Sequence, residues 1–137
     1  MASPLLSHTV VLVLILCIMP AVMSKMPDDY TSVRGDQKLV EKICLIGYGV
    51  FDKVFGKNYD SILFFRTLDA GRKYDFVRYS MRFYAKFTGP VQGLKDITAT
   101  VEISYALQPG FHVDLHIKNV DLTSAELLSV EFHRDGL

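Results

Sequence analysis

The chain has 137 residues, half of them apolar, and its 15 basic and 15 acidic side chains give a formal charge of zero. That length bounds the answer to one domain with room for a real hydrophobic core. The charge balance argues against nucleic acid or an anionic membrane as the main partner.

Thr9 to Met19 is an almost unbroken apolar run followed by Pro20, with Val22 and Ser24 at a small-residue spacing beyond it. Such a run is too short to span a bilayer, which takes about twenty residues. Residues 1–24 are expected to be a secretory signal peptide. The remaining 25–137 is then a single secreted domain, with no membrane association after cleavage. Cys17 leaves with the signal, so Cys44 stands alone and no internal disulfide is expected. Cys44 is read as a buried apolar residue. Neither Asn58-Tyr-Asp nor Asn119-Val-Asp is a glycosylation sequon.

Asp36 suits a helix N-cap. Behind it Leu39, Val40, Ile43, Cys44, Gly47, Val50, Phe51, Val54 and Phe55 recur at helical spacing, and Gly56 would close the pattern. This predicts a helix over about 37–55. Gly47 lies in the apolar stripe, where glycine costs about 1 kcal/mol against alanine. Its expected compensation is close approach of the helix to a sheet.

The rest alternates with a period of two, the mark of strands with one covered and one wet face. A strand is expected over Tyr59–Leu68, a turn at Asp69–Lys73 and a strand over Phe76–Phe87. A Gly/Pro loop follows at Thr88–Asp96, and then a strand over Ile97–Leu107. Gln108-Pro109-Gly110 would form a hairpin into a strand over Phe111–Lys118, with Leu107 facing Phe111 and Val101 facing Ile117. A last strand is expected over about Leu127–His133, inside a C-terminal extension at 119–137. One N-terminal helix and four or five antiparallel strands, without a βαβ unit, define an α+β fold.

In this order of elements, and in Gly56-Lys57-Asn58-Tyr59-Asp60-Ser61-Ile62-Leu63, the chain resembles the cystatins, particularly the secreted salivary cystatins of arthropods. The resemblance spans about residues 36–118. It implies a cystatin-like fold and inhibition of papain-like cysteine proteases by a wedge that fills the cleft without offering a cleavable bond. The protease-binding positions it implies are Ala70, Gly71, Arg72 and Lys73 in a first loop and Gln108, Pro109 and Gly110 in a second, with the segment around Val33 as a third element. The chain lacks the family's Gln-x-Val-x-Gly first loop, its Pro-Trp second loop and its four disulfide-forming cysteines.

An alternative keeps the scaffold and binds another secreted or host protein. Arg34-Gly35-Asp36 is an RGD tripeptide of the kind integrins read in exposed loops. Arg78, Arg82 and Lys86 would form a basic row on the wet sheet face. A third possibility is a barrel enclosing an apolar ligand, lined by Phe64, Phe65, Tyr79, Phe83 and Tyr105. His112, Asp114 and His116 are zinc-ligand types, with Glu102 opposite His116 in that register, but side chains two apart on a flat strand splay, and they are read as a polar face. No metal and no cofactor is expected. No nucleophile motif or phosphate-binding glycine loop is present, so the chain is not read as an enzyme.

Overall fold

The computed structural model describes residues 25–59, 61–111 and 114–135. The segment 1–24, expected to be a signal peptide, lies outside these residues. The elements are β1 (Thr31–Ser32), α1 (Gln37–Tyr59), β2 (Arg66–Asp75), β3 (Ser80–Pro90), β4 (Ile97–Leu107), a 3₁₀ turn (Ile117–Asn119) and β5 (Val120–Arg134). The strands form one antiparallel sheet in the order β1-β2-β3-β4-β5. Helix α1 packs across one face. The fold is α+β, an arrangement consistent with that of cystatins.

Asp36 starts the helix as expected. Its Oδ1 accepts from the Leu39 backbone N–H at 3.1 Å, and its own carbonyl accepts the first helical bond, from Val40. Val40, Ile43, Cys44, Gly47, Val50 and Phe51 are buried. They lie on Phe83, Ala85 and Phe87 of β3 and on Ala99, Val101, Ile103 and Tyr105 of β4, all buried. The crossing is at Gly47. A Cβ built there would sit 2.8 Å from the Ala85 Cβ and 3.4 Å from both Ile103 and Tyr105. The missing side chain is what lets the helix reach the sheet. Beside it the Tyr105 hydroxyl donates to the Ile43 carbonyl at 2.8 Å, and the Cys44 thiol lies 3.3 Å from the carbonyls of Asp69 and Lys86. Burial pushes the Cys44 thiol up to about 11, so it stays protonated at neutral pH and is a poor nucleophile.

Five expectations need correction. Gly56 does not stop the helix, which runs to Tyr59, with Lys57 complementing its last turn. The strand expected over Tyr59–Leu68 therefore begins only at Arg66, and β2 continues through Ala70–Lys73 where a turn was expected. Asp69 and Gly71 are there for other reasons. Asp69 is buried and accepts both a 3.0 Å and a 2.9 Å bond from the Arg34 guanidinium. Gly71 leaves room for the chain preceding the helix, since a Cβ would meet Met26 Sδ at 2.6 Å and the Thr31 carbonyl at 3.1 Å.

Of the segment expected as a strand over Phe111–Lys118, the described residues 111 and 114–118 are in no strand, and they lead into the 3₁₀ turn. Leu107 pairs with Val120 and Val101 with Val130, so β5 takes the edge of β4 that this segment was expected to fill. The side chain of Asn119 fastens the connection by donating to the Asp114 carbonyl and carboxylate. Finally, the sheet face away from the helix is not wet. Ser80, Arg82, Thr88, Glu102 and Ser104 are all buried. The chain preceding β1 reaches over it, and the Tyr30 hydroxyl bonds the Ser104 hydroxyl at 2.6 Å while its ring packs on Tyr84.

Two irregularities mark β5, which forms an edge of the sheet. Its register against β4 shifts between Glu102 and Ile103 and again between Ser104 and Ala106. Leu128 falls at the first shift and is exposed.

The helix crossing yields a prediction. Gly47→Ala is expected to destabilise the fold by about 1–3 kcal/mol through overpacking, although alanine is the better helix former by about 1 kcal/mol. Gly35→Ala, with open space around it, is expected to be near neutral. Urea unfolding of both variants measures the contrast.

Candidate functional site

The strand registers bring three pieces of chain to one end of the sheet. Lys73 lies opposite Arg82, Arg82 opposite Ala106 and Ala106 opposite Asp121. Beyond that row come the loop Phe76–Tyr79 between β2 and β3 and the start of the β4–β5 connection at Gln108. The N-terminal segment arrives at the same end, because Thr31 pairs with Arg72 and Asp29 bonds Lys73 at 2.5 Å.

The β2–β3 tip is built by Asp75. Its Oδ1 accepts from the backbone N–H groups of Val77 at 3.0 Å and Arg78 at 3.1 Å, an Asx-type turn. Its Oδ2 accepts from Arg82 Nε at 3.0 Å. Tyr79 closes the loop with φ of 52°, a left-handed conformation that is costly for a bulky side chain. The result is a rigid turn that holds Phe76, Val77 and Tyr79 outward, 78%, 88% and 70% exposed. Arg78 is drawn back, and its Nη1 bonds Asp121 at 2.5 Å across to β5.

The second tip is where the sequence places it. Gln108, Pro109 and Gly110 are exposed, and the Phe111 N–H donates to the Gln108 carbonyl at 3.2 Å. Pro109 supplies the fixed φ and Gly110, at φ 92°, the left-handed position of a type II turn.

The first-loop residues implied by the resemblance are elsewhere. Ala70 and Gly71 are buried inside β2. Arg72 is exposed on the strand, and Lys73 is held by Asp29 and over the Tyr30 ring. Val33 is buried and donates its N–H to the Ala70 carbonyl, so it is core and not a free contact. The residues at the tip, Phe76–Tyr79, were assigned by alternation to the start of a strand. The one cue to the turn was Asp75, a residue that bonds backbone two positions on.

The alternative surfaces are also occupied. In the RGD tripeptide, Arg34 is committed to Asp69 and Asp36 to the helix cap. In the basic row, Arg78 bonds Asp121, Arg82 bonds Asp75, Ser104 and the Ser124 carbonyl, and Lys86 stands between Asp69 and Glu102 in register. The row is therefore not a free docking face. Nor do the five residues proposed to line an apolar pocket converge. Phe83 and Tyr105 are core, whereas Phe65 and Tyr79 point to solvent. His112 lies outside the described residues. Glu102 accepts a hydrogen bond from the Tyr84 hydroxyl, and burial with that bond drives the Tyr84 phenol well above its usual range.

No family model, curated protein or solved structure matches this chain. Among the described residues no helix is long and apolar enough to cross a membrane, and no group of three metal-ligating side chains comes together.

The tip has a pH signature. For Asp75 burial pushes the carboxyl up, but the Arg82 hydrogen bond, the Arg78 N–H, the Arg82 charge and the Val77 N–H together hold it below 3.8. Asp121 is lowered by the Thr123 hydroxyl against burial, helped by the Thr123 N–H and Arg78. Both groups are depressed in the folded state. Their stabilisation is complete above the unfolded value near 3.8 and is lost as pH falls from there through the lower folded values. Thermal unfolding scanned downward from pH 5 is expected to show this loss, with a smaller loss in Asp75→Asn. At neutral pH Tyr79→Gly is expected to raise stability by about 1 kcal/mol by relieving the left-handed strain.

Proposed function

We propose that this is a secreted, cystatin-like binding protein that inhibits papain-like cysteine proteases by filling their cleft with one end of its sheet. The first contact is Phe76–Tyr79, in place of Ala70–Lys73, with Gln108, Pro109 and Gly110 beside it. The observation that supports this reading is the set of three large apolar side chains held in water on a tight turn. Burying each in a partner is worth about 1.5–3 kcal/mol, and the preorganised turn reduces the ordering cost of binding. Nothing in such contact requires catalysis by this chain. The RGD tripeptide and the basic row lose support as alternatives, because their charged groups already have partners within the fold.

The test is inhibition of papain and of cathepsin-type proteases by the chain beginning at Lys25. Inhibition in the low micromolar range or tighter is expected. Val77→Asp should weaken it at least about tenfold, a loss of about 1.4 kcal/mol, with the unfolding midpoint unchanged. Arg72→Ala, on the strand, should leave inhibition as it was. A folded protein that fails to inhibit at tens of micromolar ends this reading.

A further inference from the structure

One long side of α1 is turned away from the sheet. With about 100° of rotation per residue, Lys38, Lys42, Lys53 and Lys57 fall within one sector of about 100°, away from Gly47 at the crossing. All four are exposed. Leu39, Ile46, Gly49 and Gly56 fill the rest of that sector, and no acidic residue falls in it. At the helical rise the line from Lys38 to Lys57 is about 28 Å long. Its widest gap lies between Lys42 and Lys53, and the β4–β5 connection enters there. A Cβ at Gly49 would lie 2.5 Å from Ile117 Cδ1. Ile117 therefore sits against the helix at the gap, and the exposed Lys118 follows it. None of the five lysines makes an ion pair among the described residues.

The helix itself gains nothing from this arrangement. Lys38 is its second residue, where the helix dipole favours an anion, and the first turn holds no acidic residue. Lys38 and Lys42 are four residues apart, as are Lys53 and Lys57, a spacing at which like charges repel. The acidic residues of the helix, Glu41 and Asp52, lie beyond Lys38 on the other side of the sector, together with the exposed Leu45. Asp52 leans along the helix, its Oδ1 3.3 Å from where a Gly56 side chain would begin. In the connection, the Asp114 carboxylate accepts from the Asn119 amide at 3.0 Å. The zero net charge of the chain is thus a sum over the whole surface, and along this line the field is positive.

An extended row of unpaired ammonium groups is complementary to an extended polyanion. The row offers no exposed apolar side chain to enter a bilayer, and no arginine or aromatic ring to fork onto or stack on bases. Compact, hydrated ammonium charges on flexible stems suit sulfate groups spaced along a chain. We propose that α1 and Lys118 form a docking surface for a linear sulfated polysaccharide, laid along the helix from Lys38 to Lys57. The surface is separate from the tip and does not depend on the protease contact.

The experiment is a titration of the chain beginning at Lys25 with a heparin octasaccharide, followed by amide NMR shifts. Binding with a Kd of about 10 μM or tighter at low salt is expected, with the shifts confined to α1 and residues 114–119. Raising NaCl from about 50 to about 200 mM should weaken it at least about tenfold. The double variant Lys42→Gln, Lys53→Gln should weaken it about fivefold or more, while Lys95→Gln, in the loop between β3 and β4, should leave it unchanged. Asp52→Asn should tighten it. These residues are exposed, so the variants are expected to keep the unfolding midpoint. The proposal is overturned if the octasaccharide does not bind, if its desulfated form binds as well, or if the shifts lie away from the helix. It is equally overturned if the double variant binds as before, or if phosphatidylserine vesicles or a DNA duplex bind as tightly as the octasaccharide.

Discussion

The guanidinium of Arg82 is the point on which most of this structure turns. It sits on β3, yet its bonds reach Asp75 at the end of β2, Ser104 on β4 and the backbone of Ser124 on β5. Ser104 in turn meets Tyr30 from the N-terminal segment. A buried charge is tolerable only when paired and hydrogen-bonded, and removing one partner of such a group commonly costs about 3–5 kcal/mol. That penalty makes the network specific. Asp75 must hold its place for Arg82, and in holding it shapes the tip through its other oxygen. The exposed apolar turn and the polar interior of the sheet are organised by the same carboxylate.

The opposite face follows ordinary packing rules, and there the sequence is easiest to read. The period of the helix, its aspartate cap and the glycine at its crossing are all local signals, and the structure bears out each of them. The strand over Ile97–Leu107 agrees with the alternation to the residue. These features depend on a residue and its near neighbours, which is the information a single chain displays.

What was not legible depends on partners far away in sequence. Asp69-Ala-Gly looks like a turn by composition, and nothing nearby reveals that Asp69 is reserved for Arg34 or Gly71 for Met26. The alternation of Phe111 to Ile117 is as regular as that of β4. It lost to Val120–Arg134 in the competition for one sheet edge, an outcome decided by the total of pairings and not by pattern. The polar face misled for the same reason. A row of arginine, serine and glutamate resembles a surface until a segment from the chain's beginning is laid over it. The candidate site inherited these errors, since a loop cannot be placed more accurately than the strands that flank it.

The shifts of register along β5 have a consequence for the protein in bulk. A long strand with an open edge is a template on which further copies can add. At two places the hydrogen-bonding groups of β5 fall out of step with a regular ladder. An approaching strand can therefore match only short stretches of it at a time. The irregularity that complicates the pairing with β4 also keeps the sheet finite, so that solubility is built into the backbone itself and does not rest on surface charge, of which this chain has no net amount to spare.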